Sequence, residues 1–353
     1  MDRPRHLPGY ETLIGLVERY SPTGEESAAV EWLVSRMLDL GFAEAFIDGA
    51  GNAVGLMGTG PRQGILLGHI DTVRGEIPPR VDGEALFGRG AVDAKGPLAA
   101  FVDAVADVGP VDGWQWIVVG AVDEEGDSRG ARFLIDRYRP TFVIVGEPSR
   151  WDRVTIGYKG SAWSRATIRR PMAHTASREA SACEGAVEYW RAVQAHAAEF
   201  NHDRPRAFDQ VTPSLRGWSS GDDGFHGWAT LHLGTRLPPG LPPNEWHAHL
   251  RSLDPDVDIQ PDGFATPAYR GEKNSPLTRA FLAAIRQTGG DPSFVVKTGT
   301  ADLNLVAPAW SCPAVAYGPG DSSLDHTPDE HILLPEYERS RSVLTSVLRS
   351  MAS

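Results

Sequence analysis

The sequence predicts an α/β protein: a larger domain with a mostly parallel central sheet, and a small α+β domain inserted into it. Three observations carry that reading. Residues 64–71, 116–122 and 142–146 are short, continuous apolar runs, the pattern of strands buried on both faces. Each run leads into histidine or acidic residues. From about residue 156 to residue 260 the order of strands and helices becomes close to ββαββαβ, which suits a separate unit. Residues 1–156 and 269–353 are therefore expected to form the larger domain and 157–268 the insert. A chain of 353 residues is long enough for both.

Taken in order, residues 10–20 and 27–40 read as amphipathic helices. In the second, Val30, Leu33, Val34, Met37 and Leu38 fall at helical spacing. Between them, 21–26 reads as a turn and a helix cap. Residues 53–57 read as a strand. The strand at 64–71 runs through His69 and Asp71, which, two apart, would share a face. After a Gly-rich turn at 88–96 an apolar helix starts at Pro97. Strands follow at 116–122 and 142–146. In the insert, 155–160 and 162–170 read as strands, and 179–200 as a long helix. Residues 206–216 and 225–236 read as strands, 242–253 as a helix opened by two prolines, and 256–260 as a further strand. A helix at 277–288, a strand at 313–317 and a helix at about 335–350 complete the chain. The sequence contains no internal repeat and no low-complexity tract.

Composition narrows the class. Hydrophobic content of 41% and charged content of 23% are those of a soluble globular protein. No apolar run approaches the ~20 residues of a membrane span. The start, Met1-Asp2-Arg3-Pro4-Arg5-His6, is polar and lacks the apolar stretch of a signal peptide, so a cytoplasmic protein without a membrane partner is expected. A formal net charge of −12 argues against nucleic acid as a partner. Cys183 and Cys312 are isolated and are expected to be buried free thiols, with neither a disulfide framework nor a thiolate metal site.

The chemistry lies at the strand ends. His69 followed by Asp71 can supply a metal ligand and the carboxylate that orients it. Asp93 sits in the turn 88–96. An aspartate there is usually a turn former. A carboxylate can also bind one cation with each oxygen and hold two ions roughly 3.5–4 Å apart. Asp123-Glu124-Glu125 packs acids at the end of a buried strand, where they repel one another and call for a cation. Glu147 is an acid at yet another strand end. In a parallel α/β sheet such ends share one crevice.

The order and spacing of five motifs resemble the M20 family of dinuclear zinc aminoacylases and peptidases. They are Gly68-His69-Ile70-Asp71-Thr72, Gly88-Arg89-Gly90 with Asp93-Ala94-Lys95-Gly96, Asp123-Glu124-Glu125, Gly146-Glu147-Pro148, and Asp325-His326. The resemblance covers nearly the whole chain. It implies a zinc-peptidase-like catalytic domain with two zinc ions per chain, which cobalt can replace. One ion would be bound by His69, Asp93 and Glu147, the other by Asp93, Glu125 and His326. Glu124 would be the general base and later the acid, and Asp71 would orient His69. A cis peptide is expected after the bridging residue, at Asp93-Ala94. The insert would be a lid through which two chains form a homodimer. His174 would stabilise the oxyanion in the partner's site. Arg236 would hold the substrate carboxylate, although Gly234 stands where the family often has an acid.

Within the family the chain resembles the LysK group, which releases lysine from an amino-group carrier protein in bacterial and archaeal lysine biosynthesis. The cues are Gly157-Tyr158-Lys159-Gly160, Lys297-Thr298-Gly299-Thr300-Ala301-Asp302-Leu303-Asn304 and Tyr317-Gly318-Pro319-Gly320-Asp321. Gly299 and Thr300 are accordingly expected at the substrate. The implied partner is an acidic, LysW-like carrier protein bearing lysine on its C-terminal γ-glutamyl group. Some of the group also release ornithine. For the acidic partner a basic rim is expected from Arg150, Arg153, Arg165, Arg169, Arg170 and Arg178. Two other readings stay open: a deacylase of N-acetylornithine or N-succinyl-diaminopimelate, and a non-catalytic M20-like binding protein. No acid is identified for the ε-ammonium of lysine.

Overall fold

The structure, a computed structural model, describes residues 7–174 and 176–353. The polar start Met1–His6 and Thr175 lie outside the described residues. The chain divides into two compact units. One comprises Met1–Gly157, Gly271–Val295 and Ala301–Ser353, the other Tyr158–Arg270 and Val296–Thr300. The short segment carrying Gly299 and Thr300 thus belongs with the insert, whereas the sequence reading left it in the larger domain.

In the larger unit the central sheet runs in the spatial order Glu44–Ile47, Ala53–Met57, Trp114–Ala121, Arg62–His69, Phe142–Gly146, Ala314–Ala316, Arg153–Tyr158. Its middle four strands are parallel, as expected for strands buried on both faces. The first two strands are antiparallel to their neighbours, and Arg153–Tyr158 is antiparallel to Ala314–Ala316. Register brings the parallel strands level at their carboxyl ends: His69 faces Ala121, and Gly68 lies between Gly120 and Gly146. This row of glycines lets the helix Lys95–Val108 press onto the sheet. A Cβ at Gly68 would sit 3.0 Å from Leu98 Cβ, and one at Gly146 would sit 3.0 Å from Phe101 Cε2. The helix start, and Asp93 just before it, are thereby set beside the strand ends.

The second unit is an antiparallel sheet in the order Thr212–Asp222, His226–Leu237, Gly160–Pro171, Asp258–Thr266. The helices Ala182–Asn201 and Pro243–Leu253 share one core with its inner face: Ala186, Tyr189, Val193, Trp246 and Leu250 against Ala166, Ile168, Leu231 and Leu233. Ser181 and Glu184 close a capping box at the start of the long helix.

Several boundaries differ from the expectations. The strand at 64–71 ends at His69, so Asp71 lies beyond it. The segment 21–26 does not cap its helix. Ser21 Oγ instead donates to Ile70 O at 2.7 Å and Thr23 Oγ1 to Asp71 Oδ2 at 2.8 Å, stapling the turn to the strand end. The apolar helix begins at Lys95, with Pro97 inside its first turn. The expected strand at 206–216 forms at Thr212–Asp222. Residues before it cannot pair, because the buried Lys159 ammonium takes the carbonyls of Ala207 and Gln210. The helix Leu303–Trp310 was not foreseen; it contains Pro308, which so near the end removes a single i→i−4 bond. The edge strand Glu44–Ile47 and the small strands Arg80–Asp82, Ala85–Phe87 and His331–Leu333 were also missed. Cys183 is exposed and Cys312 half-buried, not buried as expected; Cys183 sits in the first turn of a helix whose core contacts fall to Ala182 and Ala186. The Asp93–Ala94 peptide is cis, as the resemblance implied. Among the described residues no helix is long and apolar enough to cross a membrane.

Candidate metal centre

The larger unit gathers His69, Asp71, Asp93, Glu124, Glu125, Glu147 and His326 around the level strand ends. Asp93 is central. Its Oδ1 lies 3.2 Å from His69 Nε2 and its Oδ2 3.1 Å from His326 Nε2. Each oxygen of one carboxylate therefore meets a different imidazole. His326 Nε2 is also 2.9 Å from Glu125 Oε1. Among the described residues one group of ligand atoms lies within 4.8 Å of one another: Asp93, Glu125 and His326. His326 adopts a left-handed backbone, φ 62°, which turns its ring back to the site.

Asp71 has a wider task than orienting His69. His69 Nδ1 lies 3.0 Å from the Asp71 carbonyl and 3.5 Å from its carboxylate. The carboxylate itself accepts from the backbone N–H groups of Glu124 and Glu125, each at 3.1 Å, and from Thr23. It thus holds the turn that presents both glutamates. Buried Asn52 grips the other side of that turn, accepting from Val122 N at 3.0 Å and donating to Gly130 O at 3.1 Å. Thr23 and Asn52 carried no signal in the sequence, because a lone polar residue between helices or strands reads as ordinary loop.

Electrostatics agree with a cation site. Burial raises the Glu124 pKa well above the carboxylate range. The charges of Glu147, Asp302 and Glu125 add to this and outweigh the opposing effect of His69. Burial would lower His69, yet hydrogen bonds to Asp71 and Asp93 and the Glu124 charge raise it well above its usual value. Burial would raise Asp93, but hydrogen bonds from His326 and His69 hold it below the usual range. His326, bonded to Asp93 and Glu125, is pushed up to about 10. Without a metal, protons on the imidazoles balance the carboxylates; divalent cations fit the same place. The donor set of imidazoles and carboxylates suits zinc or cobalt.

Glu147 is buried at the end of its strand, and its charge reaches Glu124. Asp302 was quoted in the sequence only as part of a motif. It is buried in the same unit, and burial pushes its carboxyl up to about 7. In the second unit, Arg236 Nη1 donates to Thr300 Oγ1 at 2.9 Å, so these two predicted residues meet. Gly299 adjoins them, with nothing within 4 Å of an added Cβ. Lys159 is buried nearby; its pKa falls to about 8 through burial and the Arg236 charge. His174 lies in an exposed loop of this unit, its Nδ1 accepting from Ala176 N at 3.1 Å.

The chain is similar to proteins of one family throughout its length. A [LysW]-lysine hydrolase of Deinococcus radiodurans is 43% identical over 339 residues, covering 93% of this chain and 92% of that protein. A [LysW]-lysine/[LysW]-ornithine hydrolase of Saccharolobus solfataricus is 27% identical, covering 92% and 91%. Among solved structures, aminopeptidase PepT of Bacillus cereus superposes with a TM-score of 0.79 at 17% identity, over 98% of this chain and 99% of that one. An M20 family metallo-carboxypeptidase of Sulfolobus solfataricus gives 0.79 at 16% identity, over 98% and 100%. These last two speak for the fold. Residues 65–350 match peptidase family M20/M25/M40, and with the ends of the parallel strands so furnished the chain belongs to that family.

Proposed function

We propose that this chain is a metal-dependent amide hydrolase of amino-acid biosynthesis. It releases L-lysine, with L-ornithine as a further product, from the C-terminal γ-glutamyl group of an acidic, LysW-like carrier protein in the cytoplasm. One observation carries the reading: 43% identity across 93% of the chain to a protein named [LysW]-lysine hydrolase. The geometry around Asp93 supports the chemistry. His69, Asp93 and Glu147 would hold one divalent ion, and Asp93, Glu125 and His326 the other; zinc would serve, and cobalt could replace it.

Bound there, two ions lower the pKa of an attacking water and polarise the amide carbonyl. The protein's own groups do the rest. Glu124, presented beside Glu125 on the turn that Asp71 holds, takes the water's proton. It then delivers that proton to the departing α-amino nitrogen. Asp71 keeps Glu124 and Glu125 in place through their backbone N–H groups. Arg236 can take the α-carboxylate of the leaving amino acid in two parallel hydrogen bonds, with Thr300 and Gly299 beside it. His174 of a second copy, paired through the inserted unit in a homodimer, stabilises the oxyanion.

The test offers zinc-loaded protein equal concentrations of carrier protein with γ-linked lysine and of free N-acetyl-lysine, followed by mass spectrometry. Lysine is expected to leave the carrier much faster. Cleavage of the small amide alone would overturn the carrier assignment and leave a small-molecule deacylase. Glu124→Ala is expected to retain its metal and to lose roughly 10²–10⁴-fold in kcat. Near wild-type turnover would remove Glu124 from its role.

A further inference from the structure

Asp93 and His326 come from opposite ends of the sequence, yet they must meet within hydrogen-bonding distance. One buried ion pair spans the two segments. Glu330 is 0% and Arg89 6% exposed, and Glu330 Oε2 accepts from Arg89 Nη1 at 2.8 Å. The other carboxylate oxygen, Oε1, accepts from the backbone N–H groups of Val92 at 3.0 Å and Asp93 at 3.1 Å. Arg89 Nη1 also donates to the carbonyl of Thr327 at 3.2 Å, one residue after His326. Arg89 Nε donates to Gly75 O at 2.8 Å, and Gly88 N to the Glu330 carbonyl at 3.3 Å. A single pair therefore fixes the peptide that carries the Asp93 carboxylate and the turn that carries the His326 ring.

A buried ion pair is a poor device for stability alone. Desolvation costs several kcal/mol per ion, and apolar side chains of equal volume often serve as well or better. Here, apart from the bond to Gly75, the remaining hydrogen bonds of the two side chains go to the two ligand-bearing segments. Neither residue was singled out as functional from the sequence, and both side chains are buried.

We propose that Arg89 and Glu330 are positioning residues that set the distance between Asp93 and His326. They thereby control occupancy of the ion site formed by Asp93, Glu125 and His326. The site formed by His69, Asp93 and Glu147 depends on them less, because His69 ends one sheet strand and Glu147 directly follows another, and the pair makes no hydrogen bond to either strand. The inference rests on the two-ion reading above.

The test uses full-length, metal-free protein titrated with Co²⁺. Bound metal per chain is counted, and the visible absorption of the bound ions is followed. Wild type is compared with Glu330→Gln, Arg89→Met and the conservative Arg89→Lys. Expected is a loss of about 10–100-fold in affinity for the second ion, with the first changed less than about threefold. Arg89→Lys keeps the charge but not the fork, and should fall between. Thermal midpoints of the metal-free forms are read alongside. A merely structural role predicts lower midpoints with both ions weakened alike, and that result would overturn the proposal. So would unchanged binding of both ions. Arg89→Lys decides the matter if the harsher variants do not fold. Wild-type protein that takes one ion only would overturn the two-ion reading instead.

Discussion

At the scale of single residues, the site shows one aspartate performing several tasks through different atoms. Asp71 meets His69 with its carbonyl and the Glu124–Glu125 turn with its side chain. Asp302 offers a different lesson. Burial raises its pKa to about 7, and the Asp71 and Asp123 charges add to this against a hydrogen bond from Ser128 and the His69 charge. An unfolded aspartate titrates near 3.9. Between those values the folded chain binds more protons than the unfolded chain, so this group makes stability fall as pH rises from about 4 to about 7. Asp302→Asn removes that dependence. In metal-free protein the variant should gain on wild type as pH rises through this window, as read by urea unfolding at the two ends. A difference that does not change with pH would refute the assignment. The residues at the ends of apolar runs, such as His69 and Glu147, were legible in the sequence because the change from apolar to polar marks them. Asp302 and Asn52 were not, since their importance lies in what packs around them.

At the scale of elements, the strand Gly160–Pro171 sorts the arginines expected to form a basic rim. Ala162, Ala166 and Ile168 are buried under the helices, so Trp163, Arg165, Thr167 and Arg169 point to the opposite face. Register places Arg165 beside His232, Arg169 beside Trp228 and Ser161 beside Arg236, all on that open face. Arg170 points the other way: a Cβ at Gly185 of the long helix would lie 3.9 Å from its Nε. Arg150 is engaged by Asp321 in the larger unit. The six arginines are therefore not one patch. Charge reversal at Arg165 and Arg169 should raise KM for a carrier substrate about tenfold and flatten its salt dependence. Arg170→Glu should leave KM unchanged. Equal effects at both places, measured by initial rates at two salt concentrations, would exclude this face as the docking surface. That a strand runs through 162–170 was readable from the sequence; which of its arginines turn outward was not. Nor was the shifted strand Thr212–Asp222, because buried Lys159, in the link between two other strands, takes the carbonyls of Ala207 and Gln210 before it.

At the scale of the whole molecule, every residue proposed to hold metal lies in one of the two compact units. Chelation should therefore act unevenly. Removing metal is expected to lower the thermal midpoint by about 5–15 °C through mass action. Hydrogen exchange should speed at 88–96, 122–130 and 325–330, while the strands of the inserted unit keep their protection. Uniform loss of protection would contradict a metal site confined to the larger unit. The order of apolar runs, their polar ends and the change of pattern near residue 156 state the α/β class and the insert without any coordinates, because burial on two faces and on one face demand different local patterns. They also mark His69, Asp71, Glu124, Glu125 and Glu147 as candidates, while His326 entered only through the family resemblance. Which oxygen of Asp93 meets which imidazole, why Asp71 holds a turn fifty residues away, and how Arg89 and Glu330 join the two ends of the chain follow only from the folded structure. Those are contacts between segments distant in sequence, and their geometry depends on strand register and on the close seat of one helix over a row of glycines.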